Sequence, residues 1–376
     1  MSLSGVKRTC RFALHMSAFD PKRTSARLFP STGVNCYHYV SSLGGRQIRR
    51  RDFIKIVGSA AVWPYAARAQ QSHVPASGKP PVIAFLGGAT PAMWAPWTGA
   101  FVERLKGLGW IEGQTVKLEF RWAEGRQELY TQYAHEFAEL NPNVIFATGA
   151  GVRAVTKATS TVPVITFANE PLGTGMVKSL ARPSGNVTGI SLQNLDLATK
   201  RFEFLREVVP NIRRLAVMAD ATYDASMLEM NTVQELARKF GINPIPLGIK
   251  RTEDIESAFA KLKTEQADAL YVVINELLNA NRLLIVTSAQ EARLPAIYGT
   301  RDWVRSGGFM SYGSNFPALF ARLAEMADSI LRGTKAENIP VEQPTKFEFV
   351  INLKTAGAMG VTVPPSLLAR ADEVIE

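Results

Sequence analysis

Cysteine is nearly missing from this chain of 376 residues: there are two, Cys10 and Cys36, and both lie close to the first residue. Everything after residue 36 therefore lacks a disulfide, a thiolate ligand for a metal and a cysteine nucleophile. Histidine is almost as scarce, with four residues, of which His73 and His135 follow residue 69. His135 falls inside the helical stretch ELYTQYAHEFAEL, a setting far commoner for a structural imidazole than for a general base. Two imidazoles without a thiol do not suffice for a zinc site. The chain has no G-x-S-x-G elbow, no H-E-x-x-H helix and no G-x-x-x-x-G-K-[ST] loop, so the chemistries those motifs carry have no foothold. Acids are plentiful, yet no spacing singles out a catalytic pair. A run of ~20 apolar residues, the length a membrane-spanning helix needs, is missing too. No metal, no cofactor and no catalytic residue is expected.

A formal net charge of +10 would ordinarily suggest nucleic acid or an anionic membrane as partner. The charge is lopsided, however. Residues 1–69 hold 12 of the 43 Lys and Arg and 2 of the 33 Asp and Glu, which leaves 31 of each sign in the other 307 residues. That remainder is neutral, and nucleic acid is not an expected partner. It is long enough for two lobes of ~150 residues, each with its own core.

The basic excess has a separate explanation in RRRDFIKIVGSAAVWPYAARAQ, residues 49–70. Arg50, Arg51, Phe53 and Lys55 form the R-R-x-F-x-K pattern of a twin-arginine signal, Ile54 to Ala61 supply a short apolar stretch, and Ala67-Arg68-Ala69 fits an A-x-A cleavage site. Pro64 argues against one long helix here. Residues 49–69 are thus expected to be an export signal cleaved near Ala69, with residues 1–48 an upstream extension from a start codon placed too early. QSHVPASGKP (71–80) looks like a flexible lead-in.

From Pro81 onward, short apolar runs alternate with amphipathic stretches, and the order runs twice. The first round has VIAFL (82–86), VKLEF (116–120), VIFAT (144–148) and VITFA (164–168); the second has LAVMA (215–219), NPIPLGI (243–249), LYVVI (270–274) and AIYGT (296–300). Continuous Val, Ile, Leu and Phe suit strands covered on both faces of a parallel sheet. Trp97, Phe101, Leu105 and Leu108 make one helical stripe, with Pro96 near its start; similar stripes lie in 198–209, 226–240, 254–263, 279–292 and 317–332. Two rounds predict an α/β protein of two doubly wound, Rossmann-like lobes. GISLQN (189–194), SGGFMSYGS (306–314) and KFEFVIN (346–352) are expected to be three hinge crossings between a lobe of residues 81–190 with 313–345 and a lobe of residues 191–306 with 353–376.

Sheets of this kind bind ligands beyond the carboxyl ends of their strands. In the first round those ends hold Gly87, Gly88, Ala89 and Thr90, then Thr148, Gly149, Ala150 and Gly151, then Asn169 and Glu170. In the second they hold Asp220 to Tyr223, Asn275 and Glu276, and Thr300, Arg301 and Asp302. Each could be only a turn or a helix cap; their recurrence at six analogous points predicts two facing polar rims. One competing signal is GAGVRA (149–154), a G-x-G-x-x-A turn with Glu170 about twenty residues on, the pattern of a dinucleotide site. It falls after the third strand instead of the first, so an exported dinucleotide-dependent oxidoreductase stands as the alternative.

At the connections the chain resembles a known family. ATSTVPVITFANEPLGTGMVKSLARPSGNVTGISL (158–192) and the stretch from Gly307 to Glu376 are similar to substrate-binding proteins of ABC transporters with a type I periplasmic-binding-protein fold, a group that includes tryptophan and tyrosine binders. The resemblance implies a periplasmic receptor, acting as a monomer, that delivers a small solute to an ABC permease in the inner membrane. It also implies that residues 87–90, 148–151, 169–170, 191–194 (with Ser191 and Asn194), 223, 275–276 and 300–302 face the cleft. Many relatives carry Asp-Pro where this chain has Glu170-Pro171.

For an α-amino acid, Thr148 to Gly151 would offer N–H groups and a positive helix end to the carboxylate. Glu170, Asp220, Glu276 or Asp302 would take the ammonium. Trp94, Trp97, Tyr223, Trp303 and Tyr312 could stack a ring, although Trp97 also belongs to the helical stripe. Arg301 could clamp a carboxylate or bridge the lobes.

Overall fold

A computed structural model describes residues 78–183 and 185–376. The expected extension, the twin-arginine signal, both cysteines and His73 lie outside the described residues.

The apolar runs form two sheets. The first has five parallel strands, β1 (Val82–Gly87), β2 (Lys117–Trp122), β3 (Val144–Ala147), β4 (Val164–Ala168) and β5 (Val187–Ser191), in the order β2-β1-β3-β4-β5. Successive side chains of β1 point to opposite faces. Ile83 and Phe85 pack under α1 (Pro91–Gly107) and α10 (Phe316–Leu331), while Ala84 and Leu86 pack under α2 (Gln127–Leu140) and α3 (Ala150–Ala158). Both faces are covered, which is why these strands read as unbroken apolar runs.

The second sheet has seven strands. β6 (Arg214–Asp220), β7 (Asn243–Ile249), β8 (Ala269–Val272), β9 (Ala296–Tyr298), β10 (Met310–Ser314), β11 (Phe347–Asn352) and β12 (Glu373–Ile375) are ordered β12-β11-β10-β9-β8-β6-β7. Every pairing is parallel except β10 with β11. Its helices are α4 (Asn194–Val208), α5 (Asp224–Lys239), α6 (Asp254–Thr264), α7 (Glu276–Ala280), α8 (Arg282–Glu291), α9 (Arg301–Arg305), α11 (Leu353–Met359) and α12 (Pro365–Leu368). The two α/β lobes expected from the doubled pattern are therefore present.

In each sheet the first strand has the second on one side and the third on the other, so the chain leaves β1 and β6 in opposite directions. Such a switch point opens a crevice at the carboxyl end of the strand. The crevices fall at Gly87–Ala89 and at Asp220–Thr222.

Several expectations shift. Helix α1 begins at Pro91, capped by the Thr90 hydroxyl, which accepts from the Met93 N–H at 3.4 Å; Pro96 lies inside it instead of at its start. The expected helix over 279–292 is broken at Asn281 into α7 and α8. The spans 306–314 and 346–352 are not free crossings, because most of each is a strand of the second sheet. The chain passes between the sheets after Ser191, after Ser314 and again before Phe347, with Glu342 still bonded to Gly189 and Ser191 at the edge of the first sheet. Gly and Ser in SGGFMSYGS signal a turn, but here they allow a close strand approach: a Cβ on Gly313 would lie 1.8 Å from the carbonyl oxygen of Gly299.

Candidate functional site

A cavity of about 250 Å³ lies where the two sets of strand ends meet. Of the residues expected at a site, Ala89, Trp94, Gly149, Ala150 and Asn169 line it from the first lobe, and Tyr223, Asn275, Glu276 and Thr300 from the second. Trp97, Asp220 and Trp303 line it as well. Trp94 and Trp97 are also core residues, 2% and 4% exposed, so one aromatic cluster serves as core and cavity wall together.

Glu276 crosses from one lobe to the other. Its carboxylate accepts hydrogen bonds from the Thr148 hydroxyl and the Tyr130 hydroxyl, each at 2.6 Å. The notch that receives it is made by missing side chains: a Cβ on Gly88 would lie 2.2 Å from the carboxylate, and one on Gly149 2.9 Å from it. Gly149 also has φ +52, a left-handed conformation that favours glycine. Burial raises the Glu276 pKa above the ordinary carboxylate value, against the two hydroxyl bonds that lower it, with the charge of Asp220 adding to the rise. Burial likewise pushes Tyr130 well up, and Tyr223 up to about 12 with help from Glu276, so both remain phenols at neutral pH.

Gly88 and Thr148 therefore serve Glu276 and do not line the cavity. The seat expected for a ligand carboxylate at Thr148 to Gly151 is filled by the protein's own carboxylate. Gly151 is turned into the core, with Leu86 and Tyr130 3.3 Å from where its Cβ would be. This arrangement also undercuts the dinucleotide alternative, since the Glu276 side chain already stands where a pyrophosphate would approach the turn.

Other expected residues lie elsewhere. Thr90 is a helix cap. Glu170 has φ +46, which turns its side chain toward the first crossing, where it accepts from the Leu195 N–H at 3.3 Å. Ser191 donates its N–H to the Glu342 carbonyl, and Asn194 is buried between Asn169 and Arg201. Arg301 bridges Glu348 and Glu373 within the second lobe. Asp302 is outside the lining; burial raises its pKa, partly offset by Arg282 and the Trp97 indole. Tyr312 packs edge-on against Phe204, 5.2 Å between centroids.

Sequence reasoning missed Tyr130, Arg153, Phe167, Asn279, Lys250 and Phe316, all of which line the cavity. Tyr130 and Phe316 come from the first turns of the helices that follow β2 and β10, strand ends that sequence reasoning did not place at the site.

The family model described as ABC transporter substrate binding protein matches residues 82–375. The chain belongs to that family. This binding protein is 26% identical over 262 residues to a tyrosine-binding protein of Clostridioides difficile (strain R20291), covering 69% of this chain and 75% of the relative. Its fold matches an ABC domain in complex with L-Trp from Streptococcus pneumonia, with a TM-score of 0.74, 24% identity and coverage of 79% of this chain and 100% of that one. A conserved domain protein from Vibrio cholerae matches with the same TM-score, identity and coverage.

Behind the cavity of the binding protein, a buried polar network ties the crossings together. Asn169 accepts from the Asn194 amide at 2.7 Å, and Asn194 in turn accepts from Arg201 at 3.1 Å. Arg201 also donates to Glu229 at 2.8 Å, the Tyr271 hydroxyl at 3.2 Å and the Tyr312 carbonyl at 2.7 Å. Arg201 and Glu229 are 0% and 1% exposed. The network thus links the end of β4, the start of α4 after the first crossing, and β10 just before the second.

Proposed function

We propose that this protein is the solute receptor of an ABC importer, working in the periplasm after export through its twin-arginine signal. It acts as a monomer, closes its two lobes over one small aromatic solute, such as an aromatic amino acid, and delivers it to an inner-membrane permease without chemical change. The observation that carries this reading is the cavity itself: both lobes contribute their strand ends, and seven aromatic residues (Trp94, Trp97, Tyr130, Phe167, Tyr223, Trp303 and Phe316) line about 250 Å³. Rings and polar side chains sharing one lining suit recognition of an aromatic side chain with a polar head. Lobe closure would pivot at the three crossings. The tyrosine-binding relative and the L-Trp complex point in the same direction.

Mass spectrometry of solute released from the purified protein, followed by calorimetric titration of the stripped protein with L-tryptophan and L-tyrosine, tests the proposal. A saturable one-to-one isotherm with an aromatic solute is the expected result. Recovery of a non-aromatic solute, with no response to either amino acid, would refute it.

A further inference from the structure

The charges around the cavity are not evenly placed. Its cationic lining residues are surface groups: Lys250 is exposed, and the Arg153 side chain is 52% exposed, resting over the Tyr223 ring at 5.5 Å. Its anionic residues lie deeper. Asp220 is 6% exposed, and one carboxylate oxygen, Oδ1, accepts from both the N–H and the hydroxyl of Thr222, leaving Oδ2 with no bond among the described residues. Glu276 stands near enough to Asp220 for that charge to help raise its pKa.

Unsatisfied polar atoms lie in the same wall. Thr300 is 5% exposed and belongs to the cavity lining, and its hydroxyl, like Asn279 Oδ1, is buried with no partner among the described residues. Buried polar atoms are rarely left unpaired unless something else completes them. Asp220 Oδ2 and Asn279 Oδ1 are acceptors only, the Thr300 hydroxyl can accept as well, and each Glu276 oxygen, already bonded once, has a second lone pair. A positively charged group rich in N–H donors would complete Asp220 Oδ2. A carboxylate would not: it would meet the like charge of Asp220, and the seat at Gly149 is already filled by the Glu276 side chain.

We propose that the cleft selects its solute by a protonated amine held against the second-lobe wall at Asp220, Glu276 and Thr300, and that a carboxylate on the solute is dispensable. The substrate class is then aromatic amines in the broad sense, arylalkylamines together with aromatic amino acids, to the exclusion of aryl carboxylic acids. This rests on the proposed binding of an aromatic solute and deepens it. Exposed cations are screened by water and salt, so a solute carboxylate reaching Arg153 or Lys250 gains only a few-fold in affinity. Loss of a buried charge partner costs about a hundredfold or more.

The test compares three solutes that share one ring: L-tryptophan, tryptamine and indole-3-propionate, titrated calorimetrically into protein stripped by unfolding and refolding. Tryptamine is expected to bind within about tenfold of L-tryptophan, and indole-3-propionate about a hundredfold more weakly or worse. Asp220→Asn, checked for native circular dichroism, is expected to weaken tryptamine and L-tryptophan alike while binding indole-3-propionate no more weakly than the wild type does. Binding of L-tryptophan without tryptamine, binding of indole-3-propionate as tight as tryptamine, or an unchanged tryptamine affinity in Asp220→Asn overturns the inference alone. Binding of none of the three, with a non-aromatic solute recovered from the protein, removes the proposed function and the inference with it.

Discussion

Replacing Arg201 by methionine probes how the two crossings are held. Methionine fills similar apolar volume but removes every hydrogen bond of a guanidinium that is 0% exposed. It strands the Glu229 carboxylate, whose pKa is already raised by burial, with the Tyr271 hydroxyl at 2.7 Å as its remaining partner. The cost of that stranded charge has a ceiling, because the carboxyl can take up a proton instead. At pH 7, neutralising a group whose ordinary pKa is 4.5 costs about 3.4 kcal/mol at 1.36 kcal/mol per unit. The Tyr312 carbonyl and the Asn194 amide oxygen lose their donor too, at about 1 kcal/mol or more each. Arg201→Met should therefore lose about 5 kcal/mol, near the 3–5 kcal/mol typical of a broken buried ion pair.

Adding Glu229→Met removes the stranded charge but restores neither orphaned acceptor. The double variant also orphans the buried Tyr271 hydroxyl, at about 1 kcal/mol, so it should recover about 2 kcal/mol over Arg201→Met at pH 7 and almost nothing at pH 5, where protonation is nearly free. Urea unfolding of the wild type, both single variants and the double, followed by far-ultraviolet circular dichroism and tryptophan fluorescence at the two pH values, measures these differences. A double variant as unstable as Arg201→Met at pH 7, or a recovery that does not shrink on acidification, would refute the reasoning.

Gly88→Ala should push Glu276 out of its notch, since the new Cβ would lie 2.2 Å from the carboxylate, a flexible end that can swing away only by giving up Thr148 and Tyr130; small-angle scattering should show a larger radius of gyration without solute. The raised pKa of Glu276 favours its protonated form in the folded state, so its contribution to stability is full below the ordinary value of 4.5 and is lost as pH rises through the folded value. Glu276→Gln, which keeps the facing Tyr130, Thr148, Asp220 and Tyr223, should thus gain stability relative to wild type at pH 8 and lose that advantage at pH 4 in thermal melts. Arg301→Ala should leave solute affinity unchanged and cost about 1 kcal/mol in chemical unfolding, because its partners Glu348 and Glu373 are structural and partly exposed. Protein from the periplasm should begin near Gln70 on N-terminal sequencing; material that retains residues 1–48 would exclude the cleaved signal.

Much of the fold was legible along the chain. NPIPLGI is β7 residue for residue, VITFA is β4, and the stripe through Trp97, Phe101 and Leu105 is the buried face of α1. Strands covered on both faces leave an apolar run that local inspection can find. β10 was harder, since Gly313, its serines and the preceding Gly308 look like turn residues until the neighbouring backbone and Tyr298 are seen to require glycine. The site was half legible. Asn275, Glu276, Tyr223 and Thr300 could be named from strand ends, but Glu170 and Arg301 carried the right chemistry into the wrong place.

Residue order alone determined the alternation of strand and helix, its repetition and the polar character of the strand ends, because periodicity and turn chemistry are local properties. Only the tertiary structure decided that Glu276 fills the notch at Gly88 and Gly149, that Arg201 lies buried at the crossings, and that Tyr130 and Phe316 reach the cavity. Those contacts join residues far apart in the chain, and their distances are set by how two sheets meet, which no local pattern encodes.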